Sequence, residues 1–349
     1  MTLFFSLLLT IGVLIGPAPA SADLHVLIYH RFGENNYPTT NVSVESFRQQ
    51  MAYLKNNNYK VVSLESVATA LKEKRPVPDR AVVITIDDGY KSTYTKAWPI
   101  LKSFQYPFTI FLNIHAVNDG YHNILNWQQI AEMRNEGADI QDHSYAHHRL
   151  ANWPKGMAEE DYRGWIRNDL QKGMEVLTDN LGDKPKFFAI PYGEYNHIVI
   201  DEAIKAGYKA ILTQDPGAVS SETDRFQIPR EPILGKQWGT MEHFKMILAR
   251  KNMPCIDKQP LIAPAAGAEP FHISARLLHP QNYEPNSLDI YVSELGWLPA
   301  TLHGDRLTTD KPVSLHRKMN RIAIEGRERS SNRTAIHFWM LLRSPGLHE

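Results

Sequence analysis

A short apolar segment that ends in two adjacent carboxylates constrains this sequence more than any other feature. Residues 81–86 are mostly β-branched and almost entirely apolar, which is typical of a strand buried on both faces of a parallel sheet. Asp87, Asp88 and Gly89 follow directly. Neighbouring side chains of a strand point to opposite faces, but a glycine turn at its end lets both acids reach one cleft. The segment therefore indicates either a site at the C-terminal end of a buried strand or an ordinary Asp-Gly turn.

A histidine-rich segment favours the first of these interpretations. Asp142 precedes His143, His147 and His148, and residues 138–141 are a further strand candidate. Two histidines four residues apart converge on one metal ion if a helical turn follows the strand. One carboxylate and two imidazoles leave coordination positions open for water and substrate, which is the pattern of a catalytic metal site. The alternative is a group of histidines on an exposed loop.

Together the two segments resemble the polysaccharide deacetylases of the NodB-homology type, carbohydrate esterase family 4. The first family motif, T-[FY]-D-D-G, corresponds to residues 85–89, with isoleucine at its second position. The second, H-[ST]-x-x-H, corresponds to residues 143–147. The third, R-x-P-[FY], corresponds to residues 189–192, where Ala189 replaces the arginine. The resemblance covers roughly residues 24–250.

The resemblance implies a role for each matched residue. Asp88, His143 and His147 would bind the metal ion. Asp87 would be the base that takes a proton from water, and the backbone N–H of Tyr192 would help to hold the oxyanion.

Several roles have alternatives or lack a matching motif. His148 could replace His147 as a ligand, because some related deacetylases space this pair one residue wider. Arg230 could replace the missing motif-three arginine as the partner of the base, or it could be an ordinary surface residue. The usual Leu-x-His of the catalytic acid is not matched at residues 246–249, which contain no histidine. We therefore expect His30, after the first strand candidate, to donate the proton, with His115 as the next candidate, because imidazoles titrate near neutral pH.

The implied cofactor is a divalent metal ion. Zinc suits one carboxylate and two imidazoles, although such ligands discriminate weakly between zinc, cobalt and nickel. The resemblance implies a metal-dependent hydrolase that removes N-acetyl groups from a polysaccharide containing N-acetylglucosamine, nearest to the deacetylases of exopolysaccharide and poly-N-acetylglucosamine. Two other functions stay open: a carbohydrate-binding protein on an inactive esterase scaffold, and a metal-dependent deacylase of another acyl ester or amide.

The pattern of strand and helix candidates predicts two domains. Strands and helices alternate over most of the chain, so we expect an α/β fold with a distorted (β/α) barrel over residues 23–255, as the resemblance also implies. Residues 256–270 are rich in proline and alanine, which predicts a linker. Beyond them apolar and polar residues alternate, which predicts a small antiparallel β-sandwich-like accessory domain over residues 271–349.

The accessory domain could bind glycan or stiffen the barrel. Its aromatic residues Trp297, Phe338 and Trp339 could form a platform for sugar rings. Core packing is the more common role of such side chains.

Composition and the first residues of the chain bear on partners and localisation. Acidic and basic side chains balance at 38 each, so nothing indicates nucleic acid or an anionic membrane as a partner. Cys255 is the single cysteine, which excludes an internal disulfide and a thiolate metal cluster. Residues 1–22 have the apolar core and A-x-A end of a signal peptide, with an uncleaved anchor as the alternative. We expect an exported monomer, periplasmic or extracellular, with no membrane span in the mature chain and an acetylated polysaccharide as partner.

Overall fold

The computed structural model of the protein describes residues 23–264 and 269–343. The predicted signal peptide, residues 1–22, lies outside the described residues. Within the described part of the chain, none of the helices combines the length and the apolar composition needed to cross a membrane.

The first part of the chain forms a parallel sheet, beside which β2 and β3 make a separate short pair. The strands are β1 (Leu24–Tyr29), β2 (Arg31–Phe32), β3 (Asn41–Val42), β4 (Lys60–Val61), β5 (Ala81–Asp88), β6 (Thr109–Leu112), β7 (Asp139–Asp142), β8 (Phe187–Ala189), β9 (Ala210–Leu212) and β10 (Glu231–Pro232). Their order is β10-β1-β5-β6-β7-β8-β9, and β4 also pairs with β5. A parallel bridge between Leu212 and Ile228 brings the segment before β10 next to β9, so the sheet curls towards closure. The predicted α/β fold with a distorted (β/α) barrel is confirmed.

Helices connect most of these strands. They are α1 (Val44–Asn56), α2 (Leu64–Lys72), α3 (Trp98–Phe104), α4 (Ile114–Asn118), α5 (Trp127–Asn135), α6 (Glu159–Leu181), α7 (His197–Ala206), α8 (Gly235–Trp238) and α9 (Met241–Ile247). The sequence predicts Ser43 as the cap of α1, and its hydroxyl does accept a hydrogen bond from the Ser46 N–H at 3.0 Å. It also predicts one helix from Thr93 to Phe104, but α3 is preceded by a π-helical turn, Thr93–Ala97. Pro99 explains this difference, because it has no N–H to donate and its ring crowds the preceding turn.

Alternate residues of β5 face opposite sides of the sheet. Val82 and Ile84 pack outside the barrel in the cluster that includes residues of α1, whereas Val83 packs in the cluster inside the barrel. Every residue of β5 is buried, which explains its continuous apolar run. The same alternation directs Asp87 into the interior.

The second part of the chain forms a largely antiparallel sheet around its own core. Its strands are β11 (Lys251–Asn252), β12 (Cys255–Gln259), β13 (Ile262–Ala263), β14 (Ser274–Leu277), β15 (Asp289–Val292), β16 (Gly296–His303), β17 (Arg306–Thr309), β18 (Met319–Arg327) and β19 (Thr334–Arg343). The first half of β16 pairs with β15, and its second half pairs with β17. This strand therefore joins the two halves of the sheet, which enclose the core. The prediction of β structure in this part of the chain is confirmed, but its strands form one mixed, half-barrel-like sheet, in which β11 and β13 pair with β19 in parallel. Trp339 is 5% exposed and packs in this core. It thus has the core-packing role that is more common for aromatic side chains than a sugar platform.

Residues 256–270 have the composition of a linker, but part of this segment forms strands. β12 pairs with β14, and β13 pairs with β19, so residues 256–259 and 262–263 belong to the second sheet. The register of β12 shifts between Ile256 and Gln259. This irregularity interrupts the period-two alternation by which a strand is recognised in a sequence.

Candidate active site

The two carboxylates reach one cleft because the chain turns at the end of β5. Asp88 has φ of 70° and Gly89 has φ of 75°, so the left-handed turn starts one residue before the glycine. Aspartate tolerates this conformation better than most residues. Oδ2 of Asp87 lies 3.6 Å from Nε2 of His143, and Oδ1 of Asp88 lies 3.5 Å from the same nitrogen. Both carboxylates therefore face the histidine segment.

The histidine segment is a compact turn and not the helical turn that the four-residue spacing predicts. Ser144 and His147 both have left-handed backbone conformations, with φ of 66° and 54°. The Ser144 N–H donates to Oδ1 of Asp142 at 2.8 Å, and the His147 N–H donates to Oγ of Ser144 at 2.8 Å. Because side chains accept these N–H groups, the backbone has an alternative to helical hydrogen bonds. The helical turn expected as the condition for convergence does not form in this segment, yet the two imidazoles still converge.

Three side chains form a group that fits a metal ion. Ligand atoms of Asp88, His143 and His147 all lie within 4.8 Å of one another. Oδ1 of Asp88 is buried and has no hydrogen-bond partner among the described residues, although Nε2 of His147 approaches to 3.1 Å. Nδ1 of His143 lies 2.7 Å from the carbonyl oxygen of Ala189, which only accepts, so this nitrogen carries the proton. Nε2 of His143 then presents a lone pair to the cleft, as a metal ligand requires.

The protonation states of these groups agree with metal binding. Burial lowers the pKa of His143 to about 4, although the two nearby carboxylates act in the opposite direction. The imidazole is therefore neutral at neutral pH and able to ligate. Burial raises the pKa of Asp88, but the interactions of its carboxylate with His147, His30 and His143 outweigh it, and the pKa is lowered. This carboxylate is therefore ionised.

A buried arginine holds the first carboxylate. Nη1 and Nη2 of Arg230 donate to the two oxygens of Asp87 at 2.7 and 2.8 Å, and Nε donates to the Thr213 carbonyl oxygen at 2.7 Å. Arg230 is 0% exposed, so the interpretation of an ordinary surface arginine is wrong. Burial raises the pKa of Asp87, but the Arg230 charge and hydrogen bonds, with His143, outweigh it and lower the pKa. In this structure Arg230 is thus the arginine that pairs with Asp87.

The other predicted histidines lie in different surroundings. His30 is 8% exposed at the end of β1 and interacts electrostatically with both carboxylates. Its Nδ1 has no hydrogen-bond partner in residues 23–264 or 269–343. His115 lies on α4 and pairs with exposed Asp119 at 3.3 Å. His148 is exposed and stacks on Trp165, with ring centroids 5.6 Å apart. The structure thus brings His30 to the carboxylates, and His147 rather than His148 into the metal group.

Tyr192 lies in a tight turn beside the metal group. The turn is a short 3-10 segment, Pro191–Gly193, in which Tyr192 has φ of 60°. The Tyr192 ring lies 4.7 Å from the His147 ring, measured between ring centroids, and the Arg149 guanidinium lies over the Tyr192 ring at 4.1 Å from its centroid. The turn also packs tightly against the segment that follows β9, because a Cβ on Gly193 would lie 2.4 Å from Cβ of Gln214.

Sequence reasoning missed a carboxylate that supports the histidine segment. The two oxygens of Asp169 accept the backbone N–H groups of Tyr145 and Ala146 at 3.2 and 2.9 Å. Oδ2 of Asp142 accepts the Tyr208 hydroxyl at 2.6 Å. Asp169 lies on the buried face of α6. A carboxylate within that apolar face is the signal that could have identified it, because buried acids require partners.

Comparison with known proteins shows which family the chain resembles. A family model described as polysaccharide deacetylase matches residues 74–211, a range that contains both carboxylates, His143, His147 and Tyr192. Poly-beta-1,6-N-acetyl-D-glucosamine N-deacetylase of Escherichia coli (strain K12) is 30% identical over 225 residues, covering 54% of this chain and 33% of that protein. The chain thus spans about a third of that relative's length. The protein of the same name from Staphylococcus aureus (strain MRSA252) is 28% identical over 211 residues, covering 59% and 72%.

A solved structure agrees with this assignment at the level of the fold. The Streptococcus pyogenes deacetylase PplD in complex with acetate superimposes with a TM-score of 0.57 at 23% identity, covering 66% of this chain and 99% of that one. At such identity the likeness shows the fold alone. Over residues 74–211 the chain is thus similar to the polysaccharide deacetylase family.

Proposed function

We propose that this chain is an exported, metal-dependent hydrolase that removes N-acetyl groups from a polysaccharide containing N-acetylglucosamine. The observation that carries the proposal is the convergence of Asp88, His143 and His147 beside the Asp87–Arg230 pair. The substrate class is supported by two relatives whose names describe deacetylases of poly-beta-1,6-N-acetyl-D-glucosamine. Export is supported by the signal-peptide pattern at the start of the sequence.

Asp88, His143 and His147 would hold a divalent metal ion. Zinc suits these ligands, and cobalt and nickel are the alternatives. When bound, the ion supplies a positive charge that polarises the acetyl carbonyl and makes a water molecule more acidic.

Asp87 would act as the general base. Its side chain lies in the barrel interior next to His143, where it can accept a proton from the attacking water. Arg230 favours the ionised carboxylate, and its two parallel hydrogen bonds fix the orientation of the oxygens. The arginine is therefore a positioning residue, while Asp87 carries the chemistry.

The Tyr192 backbone N–H would stabilise the oxyanion that the acetyl carbonyl oxygen becomes when water attacks the carbonyl carbon. The turn that carries it lies against His147, one of the proposed ligands. Backbone donors stabilise developing charge well only when they are held in place before the reaction. The tight packing of Gly193 on Gln214 supplies such support.

Replacing Gly193 by alanine should lower turnover about tenfold or more without loss of metal, because the displaced turn would misplace an oxyanion donor. A Cβ there would lie 2.4 Å from Cβ and 2.8 Å from N of Gln214. Gly182→Ala is the matched control, since Gly182 has φ of 82° but nothing within 4 Å of an added Cβ. Both variants share the backbone strain of about 1 kcal/mol, so equal kcat values would contradict the role of the turn.

His30 would donate a proton to the departing amine. It is buried beside the two carboxylates, and Nδ1 lacks a partner within the described residues, so no hydrogen bond with those residues occupies this nitrogen. Amines leave as neutral groups only after they gain a proton, whereas activated alcohols leave as anions.

His30→Ala should therefore reduce kcat on an acetyl amide by about a hundredfold or more, and reduce kcat on an activated acetyl ester much less. His115→Ala is the control, because His115 also follows a barrel strand but pairs with exposed Asp119. Metal content should stay unchanged in both variants. Equal losses on amide and ester, or no loss on either, would mean that another group donates the proton.

Three measurements test the proposed function as a whole. Metal analysis and hydrolysis of an activated acetyl ester separate a hydrolase from a binding protein on an inactive scaffold. Product analysis on defined acetylated glycans separates removal of N-acetyl groups from deacylation of another ester or amide. Full activity in a metal-free preparation would refute the metal-dependent mechanism.

The accessory sheet has aromatic side chains on the face opposite its core. Trp297 is 47% exposed, and its ring lies 5.2 Å from that of Tyr291, which lies 6.2 Å from Phe338. Strand register places Trp297 directly opposite Tyr291. Exposed aromatic faces suit the apolar faces of sugar rings, so we propose that this row contacts the polymer.

Trp297→Ala should raise KM for the polymer about threefold to tenfold, equivalent to roughly 1 kcal/mol of lost contact, with kcat on a small acetyl ester unchanged. Leu295→Ala is the control, because Leu295 is 43% exposed in the neighbouring turn but has no aromatic ring. A KM for the polymer that is the same in both variants would remove the binding role of the row.

A further inference from the structure

We propose that Arg321, on the accessory sheet, positions the turn that carries the Tyr192 N–H. The second sheet would then contribute a positioning residue to the catalytic site of the barrel. The inference rests on the proposed function, because Arg321 would act through the oxyanion donor and would not touch the substrate.

Arg321 joins the turn to a buried carboxylate. Its Nη2 donates to the carbonyl oxygen of Tyr192 at 3.4 Å, and its Nε donates to Oδ1 of Asp215 at 3.3 Å. Asp215 is 2% exposed, while the Arg321 side chain is 35% exposed. The planar guanidinium thus bridges the two acceptors from the edge of the cleft.

Asp215 is itself fixed to both parts of the molecule. The Tyr195 hydroxyl donates to its Oδ2 at 2.7 Å and accepts the Met340 N–H of β19 at 3.3 Å. The Asp215 carbonyl oxygen accepts the Arg230 N–H at 2.9 Å. Asp215 therefore orients Arg321 through its carboxylate, while its backbone is hydrogen-bonded to the backbone of Arg230, the arginine that holds the proposed base.

The alternation of β18 keeps Arg321 on the side of the barrel. Ile322 and Ile324 pack in the core of the second sheet, so Arg321 projects from the opposite face. Its register partner is Met340, which packs against the barrel cluster around α6 and α7. A shift of β18 by one residue would turn Arg321 into the core, so strand pairing fixes its position.

The turn needs such support because its backbone is strained. Tyr192 has φ of 60°, a backbone conformation that residues other than glycine adopt at a cost of roughly 1 to 3 kcal/mol. The Arg149 guanidinium holds the ring of Tyr192 from one side, and Arg321 holds its carbonyl oxygen from another. Fixing the ring and the carbonyl of a residue also limits the direction of its N–H.

The test compares Arg321→Gln and Arg321→Lys with Arg327→Gln, a control on the same strand. The Arg327 side chain is exposed and donates to the Asn332 carbonyl oxygen, away from the turn. We expect Arg321→Gln to lower kcat about tenfold on both an activated acetyl ester and the polymer, because both reactions form an oxyanion. KM, metal content and Tm should stay close to those of the wild type. Arg321→Lys should lose nearly as much kcat, because an ammonium lacks the planar fork that bridges two acceptors.

Chemical rescue separates positioning from a general structural role. Guanidinium ion at millimolar concentration should restore part of the kcat of Arg321→Ala and leave the kcat of Gly193→Ala unchanged. Three results would overturn this inference but not the proposed function. They are a wild-type kcat in Arg321→Gln, an equal loss of kcat in Arg327→Gln, and a loss of kcat that follows a loss of metal content or of Tm. A wild-type protein inactive on ester and polymer would overturn the proposed function as well.

Discussion

Asp87→Asn is expected to lower kcat by about a thousandfold or more, because general-base catalysis contributes roughly 10²- to 10⁴-fold. Asparagine has the same shape but no basic oxygen, so the three proposed ligands keep their positions. The metal-to-protein ratio should therefore match that of the wild type. The measurement is kcat on an activated acetyl ester and on the polymer, with metal content determined on the same samples. Activity above about a tenth of the wild-type value would mean that Asp87 is not the base.

The same substitution should also destabilise the fold. It leaves the Arg230 charge buried without its partner, and breaking a buried pair in this way costs roughly 3 to 5 kcal/mol. The double variant Asp87→Leu/Arg230→Met should recover most of the free energy of unfolding, because both charges are removed together. It should recover no activity. Asp119→Asn is the control for an exposed pair and should change the free energy of unfolding by less than about 1 kcal/mol.

His147→Ala is expected to lower metal affinity by more than about a hundredfold, since even residues behind the ligands change affinity 10- to 100-fold. His148→Ala, the adjacent residue, should retain the affinity, because His148 is exposed and stacks on Trp165. Competition with a chromogenic chelator measures both affinities, and kcat should fall only in His147→Ala. If His148→Ala lost the metal and His147→Ala retained it, His148 and not His147 would be the metal ligand.

The parts of the fold that the sequence predicts are those with a regular pattern. The continuous apolar run of β5 indicates a strand buried on both faces, and every residue of β5 is buried. Strand and helix alternation is sufficient to predict the curled parallel sheet. β12 and β13 were not predictable in this way, because they are short and β12 contains a register shift.

The site is predictable where its residues are neighbours in the chain. Asp87 and Asp88 adjoin each other, and His143 and His147 lie close together, so their types and order indicate a metal group. The left-handed conformation of Ser144 was not predictable, because it depends on the Asp142 carboxylate accepting its N–H. The sequence pattern predicts the three residues that the structure brings together, but their segment is a compact turn and not the helical turn on which the expected convergence depends.

Residues that reach the site from distant segments of the chain are difficult to recognise from the sequence. Arg230 is 143 positions from Asp87, and Arg321 is 129 positions from Tyr192. An arginine next to a strand is ordinarily exposed, so only the three-dimensional structure distinguishes these two from surface residues.

The position of Arg230 along the chain has a consequence for the order in which the site matures. All three candidate ligands lie between residues 88 and 147, whereas Arg230 immediately precedes β10, which docks on β1. A partly folded protein without that last pairing would hold the ligands together, but Asp87 would lack its cation. Metal capture would then precede catalytic competence during maturation. In a refolding experiment, recovery of kcat should lag behind recovery of metal binding, and simultaneous recovery would show that the two are acquired in one step.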